Sequence, residues 1–406
     1  MIFTNVYAQK QIILKAARML DIRTGKWQNH PTLLIKEDRI EAINPSSLPK
    51  DAKVVDLGNL SLLPGFIDLH THLTYDIGPG WTMRPVKEGA ADEALRGAYN
   101  ARKTLMAGFT TVRNVGAGHF ADVALMHAID KGLAVGPHIF PAGHAIGITG
   151  GHCDITGFAP GILETGPEQG VADGPAAVLR AVRYQIKHGA KVIKICATAG
   201  VLSFESSVGA QQMSDEEMRT VVEEARRHGL RVAAHAHGTQ GIIAAIKAGV
   251  TSIEHGSILN DEAIQLMKQK GTYLVPTSYL ADVIRLDLLP PPVRKKAEYV
   301  LPIMRKSLRK AIQAGVKIAF GTDAGVYPHG DNAKEFAVYV KLGMSPLKAI
   351  QSATLVASEC LGVDDRGALE PGKLADIIGV EGDPLKNIQI LQDVKFVMKS
   401  GKVFKP

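Results

Sequence analysis

Short apolar runs of strand length alternate with stretches of helical periodicity through the middle of the chain. The runs fall at 66–73, 110–115, 138–142, 192–196, 232–236, 252–255, 273–277 and 318–322, and such alternation predicts βαβ units around a parallel sheet. Eight runs match the strand number of a (β/α)8 barrel, so an α/β fold built on a TIM barrel is expected. Helix ends are legible too. Ser214 with Glu217 has the spacing of a capping box, and Gly229, after Arg226, Arg227 and His228, closes the same helix. At both ends of the chain the pattern changes. Positions 11–63 carry short alternating runs such as Thr32-Leu33-Leu34-Ile35-Lys36, and 375–405 looks the same, which predicts a small β-sandwich domain shared by the two segments. The expected division is therefore 1–63, the N-terminal part of the small β-domain; 64–360, the barrel; and 361–406, its C-terminal part. Two long connections, the Gly- and Pro-rich 147–175 and 278–294 with its Pro290-Pro291-Pro292 run, follow the third and seventh strands and leave the face where barrel active sites lie.

Length agrees, since 406 residues hold a barrel of about 250 plus a smaller unit. The net charge of +7 is spread along the chain; its densest cluster, Arg294, Lys295 and Lys296 with Arg305, Lys306, Arg309 and Lys310, reads as one face of a helix. No aromatics interleave with it, so no nucleic-acid partner is expected. No apolar run reaches the roughly 18 residues of a membrane span, so no membrane partner is expected either. Cys153, Cys196 and Cys360 are the only cysteines and have no CxxC spacing, and free thiols are expected. Val6-Tyr7-Ala8 before Gln9 resembles the small-residue tail of a secretory signal. The expected location is cytoplasmic, or periplasmic or secreted if a leader is removed there.

The chemistry collects at the strand ends. In Pro64-Gly65-Phe66-Ile67-Asp68-Leu69-His70-Thr71-His72, alternation puts Asp68, His70 and His72 on one face, with Asp68 placed to accept from the histidines. The fifth run offers His235 and His237, the sixth His255, and the eighth ends Gly321-Thr322-Asp323-Ala324-Gly325. One such histidine would be a core or capping residue, but three runs repeating the pattern, with a carboxylate in the same ring, point to a hydrolytic metal site. Lys194, inside the apolar fourth run Val192-Ile193-Lys194-Ile195-Cys196, has the parity opposite to Lys191 and cannot snorkel outward with it; a bare ammonium there is expensive. A lysine facing the ring can react with carbon dioxide to give a carbamate, an anionic ligand able to bridge two cations. Arg113, at the end of the second strand, and Tyr279, after the seventh, are placed to meet an anionic substrate group. His329, in Tyr327-Pro328-His329-Gly330, is placed to shape the pocket.

These segments resemble the amidohydrolase superfamily, in particular its binuclear subtype with a carboxylated lysine and the prolidase-like or imidazolonepropionase-like dipeptidases within it. The carrying motifs are the Pro64-to-His72 strand, Ile193-Lys194-Ile195-Cys196-Ala197-Thr198, His235-Ala236-His237-Gly238, Ile253-Glu254-His255-Gly256, Gly321-Thr322-Asp323-Ala324-Gly325 and the tail Gly367-Ala368-Leu369-Glu370-Pro371-Gly372-Lys373-Leu374-Ala375-Asp376. The resemblance implies that His70, His72 and Asp323 bind one divalent ion and His235 and His255 another. The ions are expected to be zinc, bridged by a carbamate on Lys194. It implies hydrolysis of the amide bond of a small molecule, a dipeptide or N-acyl amino acid, by hydroxide held between the ions, with Asp323 as proton shuttle. His152, in Gly150-Gly151-His152, is implied to hold the scissile carbonyl or a nearby polar group. Relatives often carry tyrosine at the place of His237 to bind a terminal carboxylate, so the histidine is a departure. A homo-oligomer is also implied.

Two enzymatic rivals and one non-enzymatic one stand beside this expectation. A mononuclear deaminase or cyclic amide (imidazolone) hydrolase would generally lack Lys194. An amidase of mycotoxin type, releasing an aromatic amino acid from an N-acyl toxin, is favoured by the apolar run Tyr279-Leu280-Ala281-Asp282-Val283-Ile284. A non-catalytic assembly protein on the same fold would have lost part of the ligand set, which here is complete.

Overall fold

The computed structural model describes residues 11–205 and 207–406; the signal-like Val6-to-Gln9 stretch lies outside them. Seven strands come first: β1 (Gln11–Lys15), β2 (Arg18–Leu20), β3 (Trp27–Asn29), β4 (Thr32–Lys36), β5 (Arg39–Ile43), β6 (Lys53–Asp56) and β7 (Leu60–Pro64). The parallel region follows with β8 (Phe66–Thr71), β9 (Phe109–Asn114), β10 (His138–Pro141), β11 (Ile193–Cys196), β12 (Val232–Ala236), β13 (Ser252–His255) and β14 (Tyr273–Val275), and the chain ends in β15 (Ile377–Glu381), β16 (Phe396–Lys399) and β17 (Lys402–Lys405).

The terminal strands make two sheets, ordered β5-β4-β1-β6 and β17-β16-β15-β7-β2-β3. Both contribute to one buried cluster, in which Ile12, Leu14, Leu33 and Ile35 meet Met19, Leu62, Ile377, Phe396 and Met398. Pairing of β7 with β15, Pro64 opposite Ile377, joins the two distant segments, as the alternating runs at both ends require. Gly65 then turns the chain into β8 against Thr110, where an added Cβ would lie 2.2 Å from Thr110 Oγ1.

In the parallel region the sheets run β10-β9-β8 and β11-β12-β13-β14. Every residue of β8, β9, β11, β12, β13 and β14 is buried, the pattern of parallel strands covered on both faces. The helix Asp215–Arg227 has the expected capping box, with Ser214 accepting from the Glu217 amide and Glu217 accepting from that of Ser214. The run 318–322, expected as an eighth regular strand, is not one. The segment 318–324 is extended but irregular. Its Ala319 amide donates to Leu274 O, Phe320 O and Ala324 O accept from Leu69 N and His72 N, and Asp323 N donates to His70 O. The Phe320 amide turns away to Ser352 O, and Asp323 at φ 62° reverses the backbone, so the ladder cannot stay regular.

Two expectations of composition are also corrected. Cys153 and Cys196 are not free thiols but form a disulfide, Cα–Cα 5.9 Å, closing a loop of 43 positions between the connection after β10 and the end of β11; Cys360 alone remains a free, buried thiol. The basic cluster does not share one helix face: Lys296 is buried, whereas Arg294 on the same helix, Pro291–Ala314, forms an exposed pair with Glu298. Among the described residues no helix is long and apolar enough to cross a membrane.

Candidate metal centre

At the C-terminal end of β8, His70 and His72 reach toward Asp323, with their Nε2 atoms 3.5 and 3.4 Å from its Oδ1. The ligand atoms of His70, His255 and Asp323 lie within 4.8 Å of one another, and so do those of His235, His237 and His255. His255 therefore stands in both groups, and His237, expected as a substrate contact, joins the second. Alternation along β13 would direct His255 away from Glu254; at φ 67° the backbone leaves the extended region and re-aims the imidazole into the ring. Asp323 and Thr277, at φ 62° and 48°, are re-aimed in the same way, and such strain of about 1–3 kcal/mol per residue collects at functional sites.

Lys194, on β11, is buried within this ring. Burial, opposed by Glu254 and Asp323, lowers its ammonium pKa to about 8, which leaves a neutral fraction able to react with carbon dioxide. Burial first, with the nearby Lys194 ammonium contributing, holds His72, His152 and His237 down to about 3 and His70, His235 and His255 well below the usual imidazole value. All six imidazoles are neutral at physiological pH, the form that binds cations. The buried Nε2 of His235 has no hydrogen-bond partner among the described residues. An unpaired buried nitrogen costs about 1–3 kcal/mol, and a cation would satisfy it. The donor set fits divalent metal.

Five of the six imidazoles are oriented from behind. His70 Nδ1 donates to Glu254 Oε2 at 2.7 Å, and Glu254 Oε1 accepts from Arg113 at 2.7 Å. His72 Nδ1 donates to Gly116 O at 3.3 Å. Thr277 bonds His255, Ser257 bonds His237 and Ser203 bonds His152, each through Nδ1, at 2.8, 2.7 and 2.6 Å. His152 stacks on His235 with ring centroids 4.1 Å apart. Asp68 was expected to accept from a histidine ring, but its carboxylate instead accepts from the His70 and Thr322 amides, Thr322 Oγ1 and Asn332, tying the eighth segment to β8.

Arg113, expected to meet an anionic substrate group, is 1% exposed and committed to Leu69 O, Ser252 and Glu254. His329 Nε2 donates to the carbonyls of His72 and Tyr75, bracing the turn after β8. Tyr279 is half-buried, its ring 5.2 Å from that of Tyr327. A cavity of about 500 Å³ at the connection that follows Asp323 has His329, Asp76, Lys103 and Arg285 in its wall, with Ile77, Val283, Leu288, Val326 and Tyr327 as apolar lining; neither the candidate ligands nor Tyr279 line it. The residues missed from sequence are Glu254, Thr277, Ser257, Ser203 and Gln212, whose Oε1 accepts from the His152 amide. Only Glu254 left a signal, being a charge inside an apolar strand, as Lys194 is.

Comparison with known proteins agrees with this arrangement. The pattern of the amidohydrolase family matches residues 61–404. Ochratoxinase from Aspergillus niger is 37% identical over 373 residues, 85% of this chain and 75% of that protein. The crystal structure of a Xaa-Pro dipeptidase with methionine bound in the active site superposes with TM-score 0.94 at 40% identity, covering 98% of this chain and all of the other. A prolidase complexed with N-methylphosphonate-L-proline gives TM-score 0.91 at 32% identity, over 98% of this chain and 100% of that one. The chain belongs to the amidohydrolase family and is a hydrolase of amide bonds.

Proposed function

We propose that this enzyme is a binuclear metal-dependent amidase that releases the C-terminal amino acid from a dipeptide or N-acyl amino acid. The observation that carries the reading is Lys194, buried among six neutral histidines and Asp323, because a mononuclear deaminase has no use for a lysine there. In this reading His70, His72 and Asp323 would hold one cation and His235 and His255 the other, with a carbamate on Lys194 available to both. Zinc bound there would supply acidified water and a field that polarises the amide carbonyl.

The chain's own groups do the rest. Asp323, buried in the same ring, takes a proton from the attacking water and delivers it to the departing amine. His152, its Nδ1 held by Ser203, presents Nε2 to the carbonyl side of the substrate. His237 is neutral and offers the released carboxylate a hydrogen bond rather than a charge. The mainly apolar cavity at the connection that follows Asp323 supports an apolar group on the substrate, in keeping with the mycotoxin-amidase variant of the same chemistry.

The scaffold of this reading is a closed (β/α)8 barrel, supported by the bridges Thr71–Ala324, Ile146–Ile195 and Leu274–Ile318 that join the two parallel sheets. Exposed Met83, Val86, Leu95 and Tyr99 support a homo-oligomer. The Cys153–Cys196 bond supports an oxidising compartment, where such bonds persist, over the cytoplasm. Metal-reconstituted enzyme assayed against dipeptides and N-acyl amino acids varied at the C-terminal residue should release the free amino acid from a subset of them. Hydrolysis of none would overturn the proposal.

A further inference from the structure

Lys296 sits near the start of the helix Pro291–Ala314, in the chain that follows β14, and is 7% exposed. Its ammonium donates to three carbonyl oxygens of one short segment, Gly200 at 2.9 Å, Ser203 at 2.7 Å and Glu205 at 3.0 Å. An ammonium has three donors, and all are spent on the segment 200–205. Burying a lysine is expensive unless its partners are worth it, and here the partners are backbone atoms that would otherwise repel one another.

That segment is built around His152. Ser203 Oγ lies 2.6 Å from His152 Nδ1. Glu205 Oε1 accepts from the Gly200 amide at 3.1 Å and from Gln212 Nε2 at 3.4 Å, and Gln212 Oε1 accepts from the His152 amide at 3.0 Å. Gly200 presses on the ring so closely that an added Cβ would stand 2.1 Å from His152 Nδ1. The side chain that holds this clamp shut arrives from a different connection, the one after β14.

We propose that Lys296 is a positioning residue for amide hydrolysis, acting through the segment 200–205 to hold the His152 imidazole at the metal ring. It couples the connections after β10, β11 and β14 at one ammonium. Without it the three carbonyls separate, Ser203 leaves Nδ1, and His152 loses its fixed orientation against His235. The inference rests on the substrate contact given above to His152.

The test is a double-mutant cycle on an amide that the wild type hydrolyses, with the metal content of every variant measured. Lys296→Met should lower kcat/KM about 10- to 100-fold in the wild-type background and less than about threefold in His152→Ala, with metal content unchanged, because residues acting through one another are not additive. An equal loss in both backgrounds, or no loss in either, would overturn the proposal. Chymotryptic cleavage after Phe204, which is 40% exposed, reads the clamp without any turnover; Lys296→Met should speed it at least tenfold, and an unchanged rate would also overturn the proposal. Failure of the amide-hydrolysis reading itself would show differently, as a wild type that hydrolyses no amide while its 200–205 segment stays protected. If Lys296→Met does not fold, Lys296→Gln, which keeps two N–H donors, carries the same measurements.

Discussion

On one side of the ring His70 gives its Nδ1 proton to a carboxylate, Glu254, that is itself held by the buried guanidinium of Arg113, whereas on the other side His255, His237 and His152 lean on the hydroxyls of Thr277, Ser257 and Ser203. A carboxylate can only accept, so it fixes the His70 tautomer, aims Nε2 into the ring and would make the imidazole a stronger ligand for a cation held there. A hydroxyl can accept or donate, so it orients a ring without fixing where its proton lies. The first side is thus an anchor bought with a buried ion pair, and the second is an adjustable face on which a substrate can be held. The difference teaches that a site of similar ligands can have one rigid half and one compliant half.

The largest expected effect removes the carboxylate shared with the anchor side. Asp323→Asn should fold and keep metal yet lose about 10³-fold in kcat, within the range of general acid–base catalysis; kinetics on metal-analysed protein checks this, and wild-type turnover would exclude the proton-shuttle role. Next comes Glu254→Gln, which leaves the Arg113 charge buried and uncompensated. It should lower stability by about 3–5 kcal/mol in denaturant unfolding and weaken one cation about 10- to 100-fold in metal titration. Loss of the Cys153–Cys196 bond acts on the compliant side. Cys153→Ser should cost about 2–4 kcal/mol of stability, the range for closing a loop of this kind, and calorimetry with and without reductant on the wild type should show the same loss.

Acid acts on both halves through their histidines. His72, His152 and His237 have pKa values held down to about 3 and His329 to about 4, against 6.5 in the unfolded chain. Depressed values mean that the unfolded state binds protons the folded state refuses. Stability of the metal-free protein should therefore fall as pH drops below about 6.5, by at most about 1.4 kcal/mol per uncompensated proton per pH unit. Buried Asp68 and Glu335, raised to about 6 and about 7, work the other way, gaining protons in the folded state, and offset part of the loss. Thermal melts of metal-free protein from pH 7.5 to about 5 check the sign. The smallest effect is Thr277→Val, expected to cost about 1 kcal/mol or less in unfolding and less than about tenfold in metal affinity. Equal effects of Thr277→Val and Glu254→Gln would break the contrast between the halves.

Much of this was legible in the chain because strands have a period of two. His70 and His72 announce themselves at one strand end, and parity alone turned Lys194 inward. The same rule fails where the backbone leaves the extended region, so His255, at φ 67°, is placed by its position at a strand end and not by parity, and 318–322, where Asp323 stands at φ 62°, reads as too regular. Partners remote in sequence were also hidden. Arg113 meets Glu254 across 141 positions, and Cys153 meets Cys196 across 43. Lys296 looked like its exposed neighbours because nothing local records that carbonyls of 200–205 converge on it.

Counting metal per chain in wild type and in Lys194→Ala, each reconstituted with zinc and bicarbonate and assayed on the same amide, tests the central claim most directly. The account predicts two zinc ions per wild-type chain and at most one in the variant, with hydrolysis lost. One zinc per wild-type chain, with activity retained in Lys194→Ala, would contradict it.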